Sequence, residues 1–386
     1  MAKKKPLIDN IERTDDLATD VLTAINKKFK DLPNSIEYLS SANLVEKWVS
    51  TGSSILDLAI SNRPYGGLGF GTIVEIFGPS ASAKSLLGAH ILAETQKIGG
   101  LAVLFDTEKA VGMLDFYKSI GLDVNKTLYS DKLRALEDIF AAIESIIERS
   151  IQTNKDRPIT IVVDSVMGAT TLSELEADYE KEGWATAKAL ILSKAMRKIT
   201  SLMVGRKILI VFINQIRSKL GVTFGENTTT SGGFALPFHS SVRLKTKVLG
   251  KLEGNINGIK ADVGNRVQVT VVKNRLGPPG RSVTFDIYYD SGIDDRGSWL
   301  QTLKDFGVLK LNGSWYSYDY INPETGELTT HKFLSKNFKE FLDQSPEIKT
   351  KIYEEICSAF IMKYDIEEMG TDDISCIDNN EIDDIE

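Results

Sequence analysis

The chain has 386 residues, room for one large domain and a smaller one with an ample core. Hydrophobic residues at 42% and charged residues at 26% fit a globular protein and exclude a disordered or membrane-spanning chain. The net charge of −7 argues against a nucleic-acid partner until it is located. Ten acidic residues and no basic one lie between Asp365 and Glu386, so the rest of the chain carries +3. Such a run reads as a disordered tail, either solvating or regulatory.

No apolar run approaches the roughly 20 residues of a membrane span. Met1-Ala2-Lys3-Lys4-Lys5-Pro6 leads into polar sequence and not into a signal core. Two cysteines, Cys357 and Cys376, form neither a disulfide framework nor a metal pattern, which suits a reducing cytoplasm. His90, His239 and His331 are scattered, so no zinc site is expected.

Residues 1–49 stand apart. Leu17, Val21, Ile25 and Phe29 at i, i+4 spacing predict one helix with a single apolar stripe, ending before Pro33. That stripe must pack on this molecule's own core or on a neighbouring subunit. Over residues 50–296, strand-like runs at 72–77, 102–105, 159–163 and 208–213 alternate with helical patterns. Runs buried on both faces predict an α/β domain with a mostly parallel sheet flanked by helices. Further runs at 242–244, 267–272 and 283–288 extend it, and Gly277-Pro278-Pro279-Gly280 predicts a hairpin. Residues 297–362 read as a small α/β domain with helices near 299–306, 336–342 and 347–360 and a turn at Asn322-Pro323-Glu324-Thr325-Gly326. The acidic tail occupies 363–386, and no internal repeat is visible.

Gly78-Pro79-Ser80-Ala81-Ser82-Ala83-Lys84-Ser85 follows an apolar run and has the layout of a strand, phosphate loop and helix. Successive backbone N–H groups and the helix N-terminus would cradle phosphates, Lys84 would reach the β and γ phosphates, and Ser85 would coordinate Mg²⁺. The second glycine of the strict pattern is Ala83, whose methyl is expected to crowd a phosphate or strain the loop. Ile159-Thr160-Ile161-Val162-Val163-Asp164-Ser165 is an apolar strand ending in a carboxylate suited to hold Mg²⁺ through water. Leu104-Phe105-Asp106-Thr107-Glu108 ends another strand in acids. Glu108 is expected to activate the attacking water and Asp106 to cap local backbone.

The most informative stretch is Ile213-Asn214-Gln215-Ile216-Arg217-Ser218-Lys219-Leu220-Gly221-Val222-Thr223-Phe224-Gly225, running on to Thr229-Thr230-Ser231-Gly232-Gly233. A buried strand opens here into a long segment of cations, hydroxyls and glycines with little to bury, the profile of a functional loop. Arg217 and Lys219 offer charge to an anion.

This segment resembles, almost residue for residue, the second DNA-binding loop of RecA-type recombinases. The resemblance runs over about two-thirds of the chain, from Ser50-Thr51-Gly52-Ser53 to Trp315-Tyr316-Ser317-Tyr318. It includes Glu75-Ile76-Phe77-Gly78-Pro79, Val163-Asp164-Ser165-Val166, Ala195-Met196-Arg197-Lys198 and Val272-Lys273-Asn274. It implies a RecA-like ATPase core that uses ATP and Mg²⁺, with a leading helix for polymerisation. Glu108 would be the water-activating base, Gln215 the sensor linking γ-phosphate to the DNA loop, and Tyr289 the residue packing on adenine. Lys273 and Arg275 match the basic pair that reaches a neighbouring subunit's ATP, and Phe238 the aromatic that crosses that interface. Leu220 matches an apolar wedge between bases, and Arg217, Arg197, Ser193, Gly232 and Gly233 match groups that hold DNA phosphates. The first DNA loop would lie in 176–184, where Trp184 either stacks on bases or anchors the following helix. One residue is inserted near Gly112-Met113, so the family's adenine contacts there have no assigned match. The phosphate loop and the segment from Trp315 to Glu327 look closer to UvsX-type phage recombinases.

The implied function is an ATP-dependent recombinase forming a helical homo-oligomer on single-stranded DNA and pairing it with homologous duplex DNA. Single-strand-binding and mediator proteins would be further partners, and the location cytoplasmic, at the nucleoid, or the host cytoplasm for a phage-encoded protein. The alternatives are a ring-forming helicase motor of the same superfamily and a non-hydrolysing accessory protein, the latter suggested by Ala83.

Overall fold

The structure is a computed structural model. It describes residues 16–30, 36–39, 45–109, 113–153, 157–176, 184–218, 228–230, 233–321 and 325–363, with backbone alone at 16, 153, 184–186, 217–218 and 228–230. Lys219, Leu220, Gly232, the expected first DNA loop between 177 and 183, and the acidic tail beyond 363 lie outside the described residues. The chain divides into two compact units, Met1–Glu46 and Lys47–Glu386.

In the first unit α1 (Asp16–Lys28) ends in Lys27 and Lys28, cations that complement the negative end of the helix dipole. The Asn26 side chain exchanges two hydrogen bonds with the Ile36 backbone (3.0 and 3.1 Å), which pins the returning chain. Leu17, Val21 and Phe29 of the expected stripe are exposed.

The second unit opens with β1 (Trp48–Val49), α2 (Ser54–Ser61), β2 (Leu68–Gly69), β3 (Ile73–Gly78) and α3 (Lys84–Lys97). Next come β4 (Leu101–Asp106), α4 (Leu114–Ser119), β5 (Thr127–Ser130), α5 (Leu136–Thr153), β6 (Ile159–Asp164), α6 (Leu172–Glu176) and α7 (Trp184–Leu202). β7 (Ile208–Ser218), β8 (Thr228–Thr230), α8 (Ala235–His239), β9 (Val242–Ile256), β10 (Ile259–Asn274), β11 (Ser282–Tyr288) and β12 (Gly292–Ile293) complete the main sheet. The chain then runs through α9 (Asp295–Asp305), a meander of β13 (Lys310–Asn312), β14 (Trp315–Ile321) and β15 (Leu328–Leu334), and finally α10 (Phe338–Gln344) and α11 (Pro346–Phe360).

The main sheet has strand order β12-β11-β10-β9-β3-β7-β6-β4-β5, with β8 attached to β7. Pairings from β5 across to β9 are parallel, and those from β9 to β12 antiparallel. This is the α/β, mostly parallel architecture expected from the doubly buried apolar runs. Alternate residues feed two cores. On one face Val74, Ile76, Leu104, Val162, Val211 and Ile213 meet α2, α3 and the C-terminal helices. On the other Ile73, Val103, Ile161, Ile210 and Phe212 meet α5 and α7.

Two elements depart from the expectation. β7 does not stop at Ile213. It continues to Ser218, where Ile216, Arg217 and Ser218 pair with Thr230, Thr229 and Thr228. The base of the long segment is therefore a ladder, favoured by the β-branched threonines. The short runs at 242–244 and 267–272 belong to a hairpin with arms of 15 and 16 residues. Its outer half has no core to face, and Leu249, Ile256 and Ile259 stay exposed there. Asn257 and Gly258, both at positive φ, supply its two-residue turn.

Candidate nucleotide site and nucleic-acid face

The site forms where β3, β4, β6 and β7 end side by side, because parallel pairing sets their carboxyl ends at one edge. Asp106 lies opposite Asp164, and Gly78 opposite Gln215. The edge of an open α/β sheet is the usual place for a ligand.

The phosphate loop wraps from β3 into α3. A Cβ on Gly78 would lie 2.4 Å from Thr246 Oγ1 and 2.5 Å from its carbonyl oxygen, so no side chain fits there. Ser82 Oγ donates to the Pro79 carbonyl (2.7 Å) and shares a 2.7 Å hydrogen bond with Thr246 on β9. Ala81 and Ala83 both take left-handed backbone (φ 56° and 65°), so Ala83 adopts the glycine conformation despite its methyl. No side chain caps α3 at Ala83, leaving its first N–H groups available to an anion. Lys84 Nζ donates to the Pro79 carbonyl at 2.5 Å. Burial lowers the Lys84 pKa, opposed by Asp164 and Glu108.

Asp164 receives a hydrogen bond from Ser85. Desolvation pushes its carboxyl up to about 6, with the Ser85 hydroxyl acting against it and Glu108 and Asp106 adding to it. A hydroxyl beside a carboxylate, with other acids close by, is a set of hard oxygen donors that fits Mg²⁺. Among the described residues no group of three or more His, Cys, Asp or Glu could hold a metal.

Glu108 sits where three loops meet. Its Oε1 accepts from Ser165 Oγ at 2.5 Å and from Gln215 Nε2 at 3.2 Å. Thr107 ties the two acidic loops together, accepting from the Ser165 N–H (2.9 Å) and donating to the Ser165 carbonyl (2.8 Å). A Cβ on Gly168 would come within 2.6 Å of Thr107 Oγ1 and 3.1 Å of Glu108 Cγ, so this glycine permits the close approach. Asp106 turns away from chemistry. Its Oδ1 accepts from the N–H groups of Glu108 (3.0 Å) and Lys109 (2.8 Å), so it shapes the loop that presents Glu108. A cavity of about 340 Å³ is lined by Ser80 to Leu86, Glu108, Asp164, Gln215 and Tyr289, with Met113, Ile213 and Asn265 completing the wall.

Phe238 on α8 is exposed, and Lys273 Nζ donates to the carbonyls of Pro237 and Phe238 (2.8 Å each). Burial, Arg275 and Arg243 lower the Lys273 pKa. His239 is lowered first by burial and then by the charges of Arg197, Lys273 and Arg275. On α7, Ala189, Ser193 and Arg197 share a face by their spacing of four. Gly233, at φ 70°, lies against Ala189: a Cβ there would be 3.4 Å from the Ala189 methyl.

The RecA N-terminal domain family model matches residues 17–294. Protein RecA of Chlamydia caviae is 36% identical over 306 residues, 79% of this chain and 82% of its own. Protein RecA of Ruegeria pomeroyi is 37% identical over 326 residues, covering 84% and 86%. Protein RecA of Rubrobacter xylanophilus is 34% identical over 308 residues, covering 80% and 83%. The chain belongs to the RecA family.

This RecA-type recombinase brings the sequence-derived site residues together unevenly. Gly78 to Ser85, Glu108, Asp164, Gln215 and Tyr289 surround one edge of the sheet. Lys273, Arg275, Arg197 and Phe238 gather around α8, with Ser193 one turn before Arg197 on α7 and Gly233 against Ala189. Trp184 starts α7 and Arg217 lies on β7, both with backbone alone described. Sequence reasoning missed Ser165, Thr107, Gly168, Thr246, Met113 and Asn265. Ser165 follows the strand-end acid directly, a position that could have marked it. The others touch the site only through register and loop contacts that no local pattern announces. Among the described residues no helix is long and apolar enough to cross a membrane.

Proposed function

We propose that this RecA-family protein binds ATP with Mg²⁺, polymerises as a helical filament on single-stranded DNA, and exchanges that strand with a homologous duplex. The observation that carries the reading is the contact between Gln215 and Glu108. Gln215 lies on the strand that runs on into the expected DNA-binding segment, and Glu108 stands in the cavity beside the phosphate loop. One rigid strand thus joins the base to the groups that would grip DNA, a physical basis for DNA-stimulated hydrolysis.

In the reaction Glu108 accepts a proton as water attacks the γ-phosphorus. The bond to the β–γ bridging oxygen breaks and ADP leaves with the electron pair. Ser165 and Gln215 hold the carboxylate in place, and Lys84 with the uncapped N-terminus of α3 stabilises phosphate charge. Ser85 and, through water, Asp164 would hold the Mg²⁺, which supplies neutralisation of that charge when bound. Tyr289 lies where it can pack on adenine. Lys273 and Arg275 would complete a neighbouring protomer's site across the interface bearing Phe238. The exposed stripe of α1 would make the heterologous contact that builds an open polymer.

On the DNA side Arg197, Ser193, Gly233, Arg217 and Gly232 would hold phosphates, Lys219 would add charge, and Leu220 and Trp184 would contact bases. Backbone contacts of this kind predict little sequence preference and a steep salt dependence. Base pairing then supplies specificity.

The test is ATP hydrolysis with and without single-stranded DNA. Wild-type protein should be stimulated by DNA and form filaments visible by electron microscopy. Glu108→Ala should keep ATP binding and filaments while losing roughly 10²–10⁴-fold in turnover. Hydrolysis undiminished in Glu108→Ala removes the base assignment. Wild-type protein that stays monomeric on DNA removes the recombinase reading.

A further inference from the structure

The sheet contains a polar row that neither the phosphate loop nor the catalytic carboxylate requires. Glu75, in the middle of β3, has a fully buried side chain. Its register partner on β9 is Arg243, whose Nε donates to Glu75 Oε2 at 2.6 Å. The Arg243 guanidinium also lies over the Phe77 ring, 4.4 Å from its centroid. On the other side Asn214 of β7, also fully buried, donates from Nδ2 to Glu75 Oε1 at 3.0 Å. The Asn214 Oδ1 accepts the backbone N–H of Gln215 at 2.9 Å. One strand further out, the register partner of Arg243 on β10 is Lys273. The row therefore crosses four adjacent strands, from Gln215 at one end to Lys273 at the other.

An ion pair in this setting is poor value as a stabiliser, because desolvation consumes most of the Coulomb gain and an apolar pair would pack as well. What it supplies is fixed geometry. We propose that Glu75, Arg243 and Asn214 are positioning residues that join the Gln215–Glu108 contact to the Lys273–Arg275 edge, so that consecutive ATP sites along the polymer turn over cooperatively. The inference rests on the functional reading above, in which Gln215 senses a protomer's own nucleotide and Lys273 serves the next. A displacement of Gln215 by nucleotide is carried through Asn214 to the carboxylate of Glu75. It passes from there to the guanidinium beside which Lys273 is held. None of the three residues lines the nucleotide cavity.

The experiment measures DNA-stimulated ATPase rate against ATP concentration for wild type, Asn214→Ala and Glu75→Gln, with nucleotide binding and thermal unfolding recorded for each. The proposal expects a wild-type Hill coefficient above 1. In Asn214→Ala it expects a Hill coefficient near 1 and a kcat lowered about tenfold, with ATP affinity within twofold of wild type and cooperative unfolding kept. Glu75→Gln keeps the shape but not the charge and should behave alike. If burial of an unpaired Arg243 prevents its folding, Asn214→Ala alone decides, because it leaves the ion pair intact. A kcat and Hill coefficient unchanged in a folded Asn214→Ala overturn the proposal, as does a wild-type coefficient of 1. Wild-type protein without DNA-stimulated hydrolysis would instead bring down the functional reading, and the coupling with it.

Discussion

Ala83 occupies the loop position where the strict phosphate-binding pattern has glycine, and it stands at φ 65°. A non-glycine residue in this region costs about 1–2 kcal/mol. Glycine would relieve that cost but give back roughly 0.4–1 kcal/mol through its more flexible unfolded chain. The balance favours glycine, so Ala83→Gly should raise stability by roughly 0.5–1 kcal/mol. Urea unfolding measures this, and a lower midpoint in the variant would mean that packing of the methyl, which lies against the core, outweighs the backbone cost. The expectation of a strained loop was legible in the sequence. That the loop keeps the glycine conformation around Ala83 was not.

At the scale of elements, α3 carries both ends of a balance. Its first residues face the nucleotide cavity, while His90 in its middle is buried beneath two glycines. A Cβ on Gly292 would lie 2.4 Å from His90 Nε2, and one on Gly52 2.9 Å from Nδ1. His90 Nε2 accepts the Ile293 N–H at 3.1 Å, so the ring is needed neutral. Burial, with a smaller contribution from Lys97, pushes its pKa down to about 4. The unfolded chain, with a histidine near 6.5, takes up the proton first. Stability is therefore complete above about pH 6.5 and is lost as pH falls towards 4, by up to about 3 kcal/mol. Asp57 on α2 works in the opposite sense. Burial raises it to about 7, against hydrogen bonds from Ser50 and Thr51, so its contribution declines as pH rises from about 4 to about 7. Urea unfolding between about pH 7 and pH 4 should show a shallower acid loss in His90→Gln than in wild type. Parallel curves for the two proteins would refute this account of His90.

For the whole molecule, the arrangement of Glu108 at one edge and Lys273 beside the exposed Phe238 predicts an active site completed only between protomers. Glu108→Ala and Lys273→Ala should each be inactive alone. Mixed in equal amounts, they should recover roughly a quarter of wild-type hydrolysis, because about one interface in four then pairs an intact Glu108 with an intact Lys273. No recovery on mixing would place both groups in service of the same protomer. Concentration dependence in the mixture would distinguish assembly from slow exchange.

The sequence by itself determined the layers and pointed to the ligand chemistry. Runs buried on both faces announced the parallel sheet, and the spacing of Gly78, Lys84 and Ser85 announced a phosphate site. The segment after Ile213 announced the family. Those signals are local, carried by periodicity and by residue types needed at fixed offsets. The meeting of Ser165, Gln215 and Glu108, separated by 57 and 107 positions, was decided by strand register, as was the pairing of Glu75 with Arg243 across 168 positions. The outer half of the β9–β10 hairpin was also decided there, since its apolar residues Leu249, Ile256 and Ile259 stay exposed and form no buried stripe. Parallel strands bring distant positions into contact only after the whole sheet has assembled, and no window of sequence contains that information.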